Sequence, residues 1–174
     1  MPSYAFEGKV PDVHPDAFVA PTATLIGDVT VEKGASIWYG VVLRADICRI
    51  IVRAGANIQD NSVVHGGPDT TVEIAAGATV AHSCVMHGGR LGEKSILANN
   101  STMLDEARVG DGTMVAAGST VAAGAEIPDG VLAAGAPAQV KRPLAGTPAE
   151  FWVAVNADYY AELAARHAAA TAEV

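Results

Sequence analysis

At 174 residues the chain is long enough to bury a real core, yet only 5% of it is aromatic, so aliphatic side chains must fill that core. A formal charge of −8 argues against a general nucleic-acid or acidic-membrane surface, and no stretch approaches the roughly 20 apolar residues that span a bilayer. The opening MPSYAFEGKVP has no basic segment leading into an apolar run, so the expectation is one cytoplasmic domain over 1–174 with a small-molecule partner.

From about residue 12 the sequence repeats in sixes. Val19, Leu25, Val31, Ile37 and Leu43 form one run; Val52, Ile58 and Val64 a second; Ile74, Val80 and Met86 a third. The longest is Leu91, Leu97, Met103, Val109, Val115, Val121 and Ile127. Small and turn-forming residues fill the positions between. This period fits neither an amphipathic helix nor a hairpin, and predicts a hexapeptide β-helix over about 12–141, mainly β, in which stacked coils bury one aliphatic residue per short parallel strand. The register slips at Leu43 to Val52, Val64 to Ile74 and Met86 to Leu91, and such slips predict loops or bulges where a site forms.

Beyond VKRP the pattern changes. Thr147 as N-cap, Pro148 at the first helical position and Glu150 three residues after the cap predict a capping box and a helix over about 148–169. Phe151, Trp152, Val155, Tyr159 and Leu163 fall on one face, expected to pack against the solenoid. Cys48 and Cys84 lack metal or disulfide-framework spacing and are read as reduced packing residues. His14 and His167 are read as solvated or packing residues.

Three rungs per triangular coil put Leu43, Val64 and Met86 on one face, so Arg44, His65 and His87 form a column one position later. Neighbouring rungs lie about 4.8 Å apart, which lets His65 and His87 share one metal. Asp60 and His82 fall in a second column around a corner, so a third ligand, His82, could come from another copy in a ring whose columns face each other, and a triangular prism suggests threefold symmetry. Three imidazoles with one open position is a catalytic zinc arrangement.

Arg44 and Asp46 in LRAD, Asn57, Gln59 and Asp60 in NIQD, His65, and His82 and His87 in HSCVMH together resemble the gamma-class carbonic anhydrases. The resemblance covers nearly the whole chain and implies a left-handed parallel β-helix with a C-terminal α-helix, a homotrimer, and Zn2+ (Fe2+ or Co2+ also suit imidazoles) held by His65 and His87 of one subunit and His82 of the next. It further implies hydration of carbon dioxide to bicarbonate by a metal-dependent lyase. Gln59 would orient the reacting water or carbon dioxide, Asn57 would support it, Asp60 would lie close to the catalysis, and Arg44, Asp46 and Asp60 would form ion pairs at the subunit contact. Two features depart from that family. Ala45 stands where a glycine is usual, and HGGPDTTVE offers only Asp69 and Glu73 where acidic proton-export loops are expected. The alternatives are a metal-dependent acyl-CoA thioesterase, an acyltransferase of the same fold, or a catalytically silent metal-holding assembly protein.

Overall fold

The aliphatic residue of each six-residue unit sits in a short strand and points inward. Ser36–Ile37, Asn57–Ile58, Thr79–Val80, Ile96–Leu97 and Met114–Val115 each end on a buried aliphatic side chain. In a computed structural model that describes residues 2–172, these strands stack in parallel register, Ile37 on Ile58, Val80, Leu97 and Val115. Leu43, Val64, Met86, Met103 and Val121 form a second column, and Val52, Ile74, Leu91, Val109 and Ile127 a third. Three columns make the predicted triangular prism, a β-solenoid of about seven turns. Its narrow interior accepts aliphatic side chains, which explains the scarcity of aromatic residues.

An eight-stranded sheet covers one face. A twelve-stranded sheet wraps the other two, because the 11-residue strand Val42–Val52 pairs with Val63–His65 at one end and Thr71–Ile74 at the other. The first register slip is therefore absorbed by one long strand, with a bulge opposite Gly27 and Val29. The second becomes the turn Gly66–Thr70 and the third the Gly88–Gly89 corner. Ala45 is fully buried without a left-handed backbone, so its methyl is simply part of the core.

Buried hydroxyls hold the corners. Ser62 donates to the Ala81 carbonyl at 2.6 Å and accepts from the Cys84 amide, while Ser95 and Thr113 donate to the Gly110 and Pro128 carbonyls one coil on. Among the described residues no buried side-chain nitrogen or oxygen lacks a partner.

The helix α1, Pro148–Ala170, follows the predicted bounds closely, but two details differ. The capping box does not form, because the Thr147 hydroxyl turns back to the Leu144 carbonyl and Glu150 accepts from the Gly146 amide instead. The aromatic stripe also packs less than expected: Val155 and Leu163 are half-buried, but Phe151, Trp152 and Tyr159 are 62%, 52% and 55% exposed. The docking face carries Asn156, Tyr160, Ala164 and His167, and it lies against Phe18–Val19 and Ser36–Ile37. His167 stands edge-on to Trp38 with ring centroids 5.0 Å apart and shares a hydrogen bond with the Tyr39 hydroxyl. Among the described residues no helix is long and apolar enough to cross a membrane.

Both cysteines are free and buried, as expected of packing residues. Burial pushes the Cys84 thiol up to about 11, so at pH 8 only about one molecule in a thousand carries the thiolate. Iodoacetamide at that pH is expected to leave Cys84 unlabelled in the native protein and to label it in denaturant, as peptide mass spectrometry would record. Labelling of Cys84 at equal rates in both states would contradict the packing.

Candidate functional site

Rung stacking places the histidines in two separate groups. His65 and His87 end paired strands, Val63–His65 and Val85–His87, and sit directly opposite each other. His65 Nδ1 lies 3.2 Å from His87 Nε2. The outer nitrogens meet carboxylates, His65 Nε2 with Asp46 Oδ1 at 2.9 Å and His87 Nδ1 with Asp105 Oδ1 at 2.9 Å. Arg44 pairs with the other oxygen of Asp46. Burial alone would raise the Asp46 carboxyl, but hydrogen bonds from His65 and Arg44 outweigh it and bring the pKa down to about 2.

When each ring gives its outer N–H to the carboxylate behind it, the two inner nitrogens face each other through lone pairs. The contact is satisfied only by a proton or another cation between them. A tetrahedral ion at the usual zinc–imidazole length of 2.0–2.1 Å spaces two ligand nitrogens by about 3.3 Å, so the pair fits half of such a site. Carboxylates behind both rings fit it as well. Among the described residues of one chain, no group of three or more His, Cys, Asp or Glu converges on a common metal position. A broad cleft of about 720 Å3 opens beside the pair, lined by Gly67, Thr70, Gly88, Arg90, Asp105 and Arg108.

His82 lies elsewhere, after the Thr79–Val80 strand of the eight-stranded sheet. Its Nδ1 lies 3.0 Å from Asp60 Oδ2, at ion-pair distance, and its Nε2 lies 3.3 Å from the Tyr160 hydroxyl. Burial, Asp60 and the neighbouring Tyr159 push the Tyr160 phenol up, so it stays a donor. Beside it runs a buried polar ladder: Gln59 donates to Asn57 at 3.0 Å, Asn57 to Thr79 at 2.8 Å, and Thr79 to Asn156 of α1 at 2.7 Å. The resemblance sets Asn57 and Gln59 beside the reacting water; in this chain they accompany His82, itself one of the three expected ligands. Likewise Arg44–Asp46 and Asp60–His82 are contacts inside the chain.

Sequence reasoning missed Asp105, Asn156 and Tyr160. Asp105 was within reach, because the rung count that paired His65 with His87 could have been carried one coil further. The other two depend on the rotation of α1 about its axis, which the aromatic stripe does not fix.

The chain is 40% identical to the carnitine operon protein CaiE of Citrobacter koseri over 173 residues, 99% of this chain and 87% of that protein. The Escherichia coli protein of the same name is 40% identical over 95% of this chain and 84% of its own length. The chain belongs to the CaiE family of hexapeptide-repeat proteins. That family has the gamma-class carbonic-anhydrase-like left-handed β-helix that the residues resemble, so the fold stands as expected. No family model matches the chain. A solved hexapeptide transferase family protein from Anaplasma phagocytophilum is 39% identical, with a TM-score of 0.88 over 94% of this chain and 96% of that one. A solved putative acetyltransferase from Bacillus cereus is 30% identical, with a TM-score of 0.87 over 93% and 94%.

These likenesses overturn carbon dioxide hydration and the assignment as a carbonic anhydrase, a zinc lyase. The matching CaiE proteins and solved structures are named for carnitine operons and for group transfer, and the shared solenoid hosts more than one chemistry. Of the two acids of HGGPDTTVE, Asp69 is exposed and Glu73 is held by ion pairs. Glu73 is tied to Arg53 at 2.7 Å and Arg90 at 3.4 Å, and cannot serve as a free proton exporter.

Proposed function

We propose that this CaiE-family chain is a hexapeptide acyltransferase that moves an acyl group from coenzyme A to a small amine or alcohol, with His82 as general base. The observation that carries the reading is the His82 geometry: Asp60 Oδ2 stands 3.0 Å behind Nδ1, and Nε2, 3.3 Å from the Tyr160 hydroxyl, lies at the mouth of a groove. An acceptor N–H or O–H reaching Nε2 passes its proton there while its heteroatom attacks the thioester carbonyl. The carbonyl carbon forms the new bond to nitrogen or oxygen, the C–S bond breaks, and the departing sulfur takes the proton back from His82. Asp60 stabilises the imidazolium formed between those two transfers, and the Tyr160 hydroxyl, which orients Nε2 until the acceptor arrives, gives up that position to it. The similarity to a hexapeptide transferase and an acetyltransferase supports this class of reaction.

A second reading is favoured by the His65–His87 contact at 3.2 Å. In it a homotrimer holds zinc, or ferrous iron or cobalt, on His65 and His87 of one copy and His82 of a neighbouring copy, making a metal-dependent acyl-CoA thioesterase. Such an ion supplies Lewis acidity toward a thioester carbonyl. Asp46 and Asp105 orient the first two rings. His82 is then a ligand and not a base.

One experiment separates them: CoA release from acyl-CoA with and without amine or alcohol acceptors, before and after dipicolinate treatment, with metal analysis of each sample. Acceptor-dependent release that survives chelation is the expected result. Release that needs no acceptor, collapses with the chelator and returns with zinc would establish the second reading. No CoA release under any condition would overturn both.

A further inference from the structure

Successive rungs of the eight-stranded sheet present Asn57, Thr79, Ile96 and Met114 outward in strict register. The floor therefore changes from polar to apolar along the prism axis. Above it, α1 contributes Trp152, Asn156 and Tyr159, and together they enclose a groove of about 410 Å3. That volume lies within the roughly 300–1,000 Å3 usual for small-molecule sites. Its polar end holds Gln59, His82 and Tyr160, and its apolar end Ile96, Ala98, Met114 and Trp152. Trp152 and Tyr159, half exposed above an apolar floor, are the helix aromatics expected to pack and found open instead.

We propose that this groove binds the apolar tail of a medium-chain acyl group whose carbonyl end lies at His82. The step from Thr79 to Met114 is two rungs, roughly 10 Å at about 4.8 Å per rung, much longer than an acetyl group and suited to an extended hydrocarbon chain. Identifying that chain as an acyl group rests on the acyl-transfer reading, whereas the groove's preference for a hydrocarbon of that length does not.

S-octyl-CoA and S-ethyl-CoA, thioethers that bind but cannot transfer, separate the two questions by calorimetry. A fully buried methylene improves affinity about fourfold, and the groove is half open, so octyl is expected to bind at least about tenfold more tightly than ethyl. Met114→Trp, which fills the apolar end, is expected to erase that gain and leave ethyl binding unchanged; Ala98→Phe, one rung nearer His82, should do the same. Equal binding of the two thioethers by the unmodified protein, or an octyl gain untouched by either substitution, would overturn the groove assignment. Octyl preference in a protein that transfers no acyl group would sustain the groove and remove the transferase reading. Transfer with no chain-length preference in binding would do the reverse.

Discussion

His82→Ala is expected to lower acceptor-dependent CoA release by roughly 10²–10⁴-fold, the usual contribution of a positioned general base. The side chain is 44% exposed and lies outside the aliphatic columns, so the melting temperature should stay close to that of the parent. Asp60→Asn should fall between the two, because an amide still fills the space but no longer stabilises the imidazolium. Tyr160→Phe should cost less than either, since the phenol only orients Nε2 and its ring still packs edge-on to Trp38 at 5.4 Å. Steady-state kinetics on the three variants checks the order, and a His82→Ala rate within about threefold of the parent would remove His82 from the chemistry.

Gly89→Ala should be strongly destabilising. Gly89 has φ +76°, and a methyl there would press into the Ala107 carbonyl oxygen, a backbone atom of the next coil, and lie 2.9 Å from Met103 Cε. Left-handed strain and a rigid clash add, and a loss of about 3 kcal/mol or more is expected in urea unfolding. Gly118→Ala separates the two costs. Its φ is +70° with nothing within 4 Å of the added methyl, so only the conformational strain of about 1–2 kcal/mol applies. Similar losses for both would mean that the Gly89 corner can relax. Gly89 lies two residues after His87, so its variant should also shift the His65–His87 contact, whereas Gly118→Ala should not.

The rungs were legible in the sequence because a solenoid writes its packing into a strict period. Ile58, Val80 and Leu97 each had to be aliphatic at the same position of the repeat, and their stacking followed from counting. The same counting put His65 opposite His87 and Asp60 beside His82. It failed where the period ends. Nothing local fixes the rotation of α1 about its axis: Phe151, Trp152 and Tyr159 make the more apolar-looking stripe, yet Tyr160 and His167 pack better against Phe18, Trp38 and Tyr39 because their polar tips find partners there. The chemistry was legible only as far as the histidines. Resemblance to one activity of a shared fold drew attention to these residues and attached them to a reaction that the relatives do not support.

A stack of parallel coils has two open ends, and each exposes a row of backbone groups on which another chain could continue the stack. At the C-terminal end the last parallel strand, Val131–Gly135, is covered by Ala138–Pro143 running the opposite way. The reversal breaks the register that a further coil would need, Lys141 and Arg142 put like charges on the outer edge, and Pro143 offers no amide hydrogen. This short returning strand thus guards the chain against end-to-end fibre growth, and keeps a repetitive architecture finite in length.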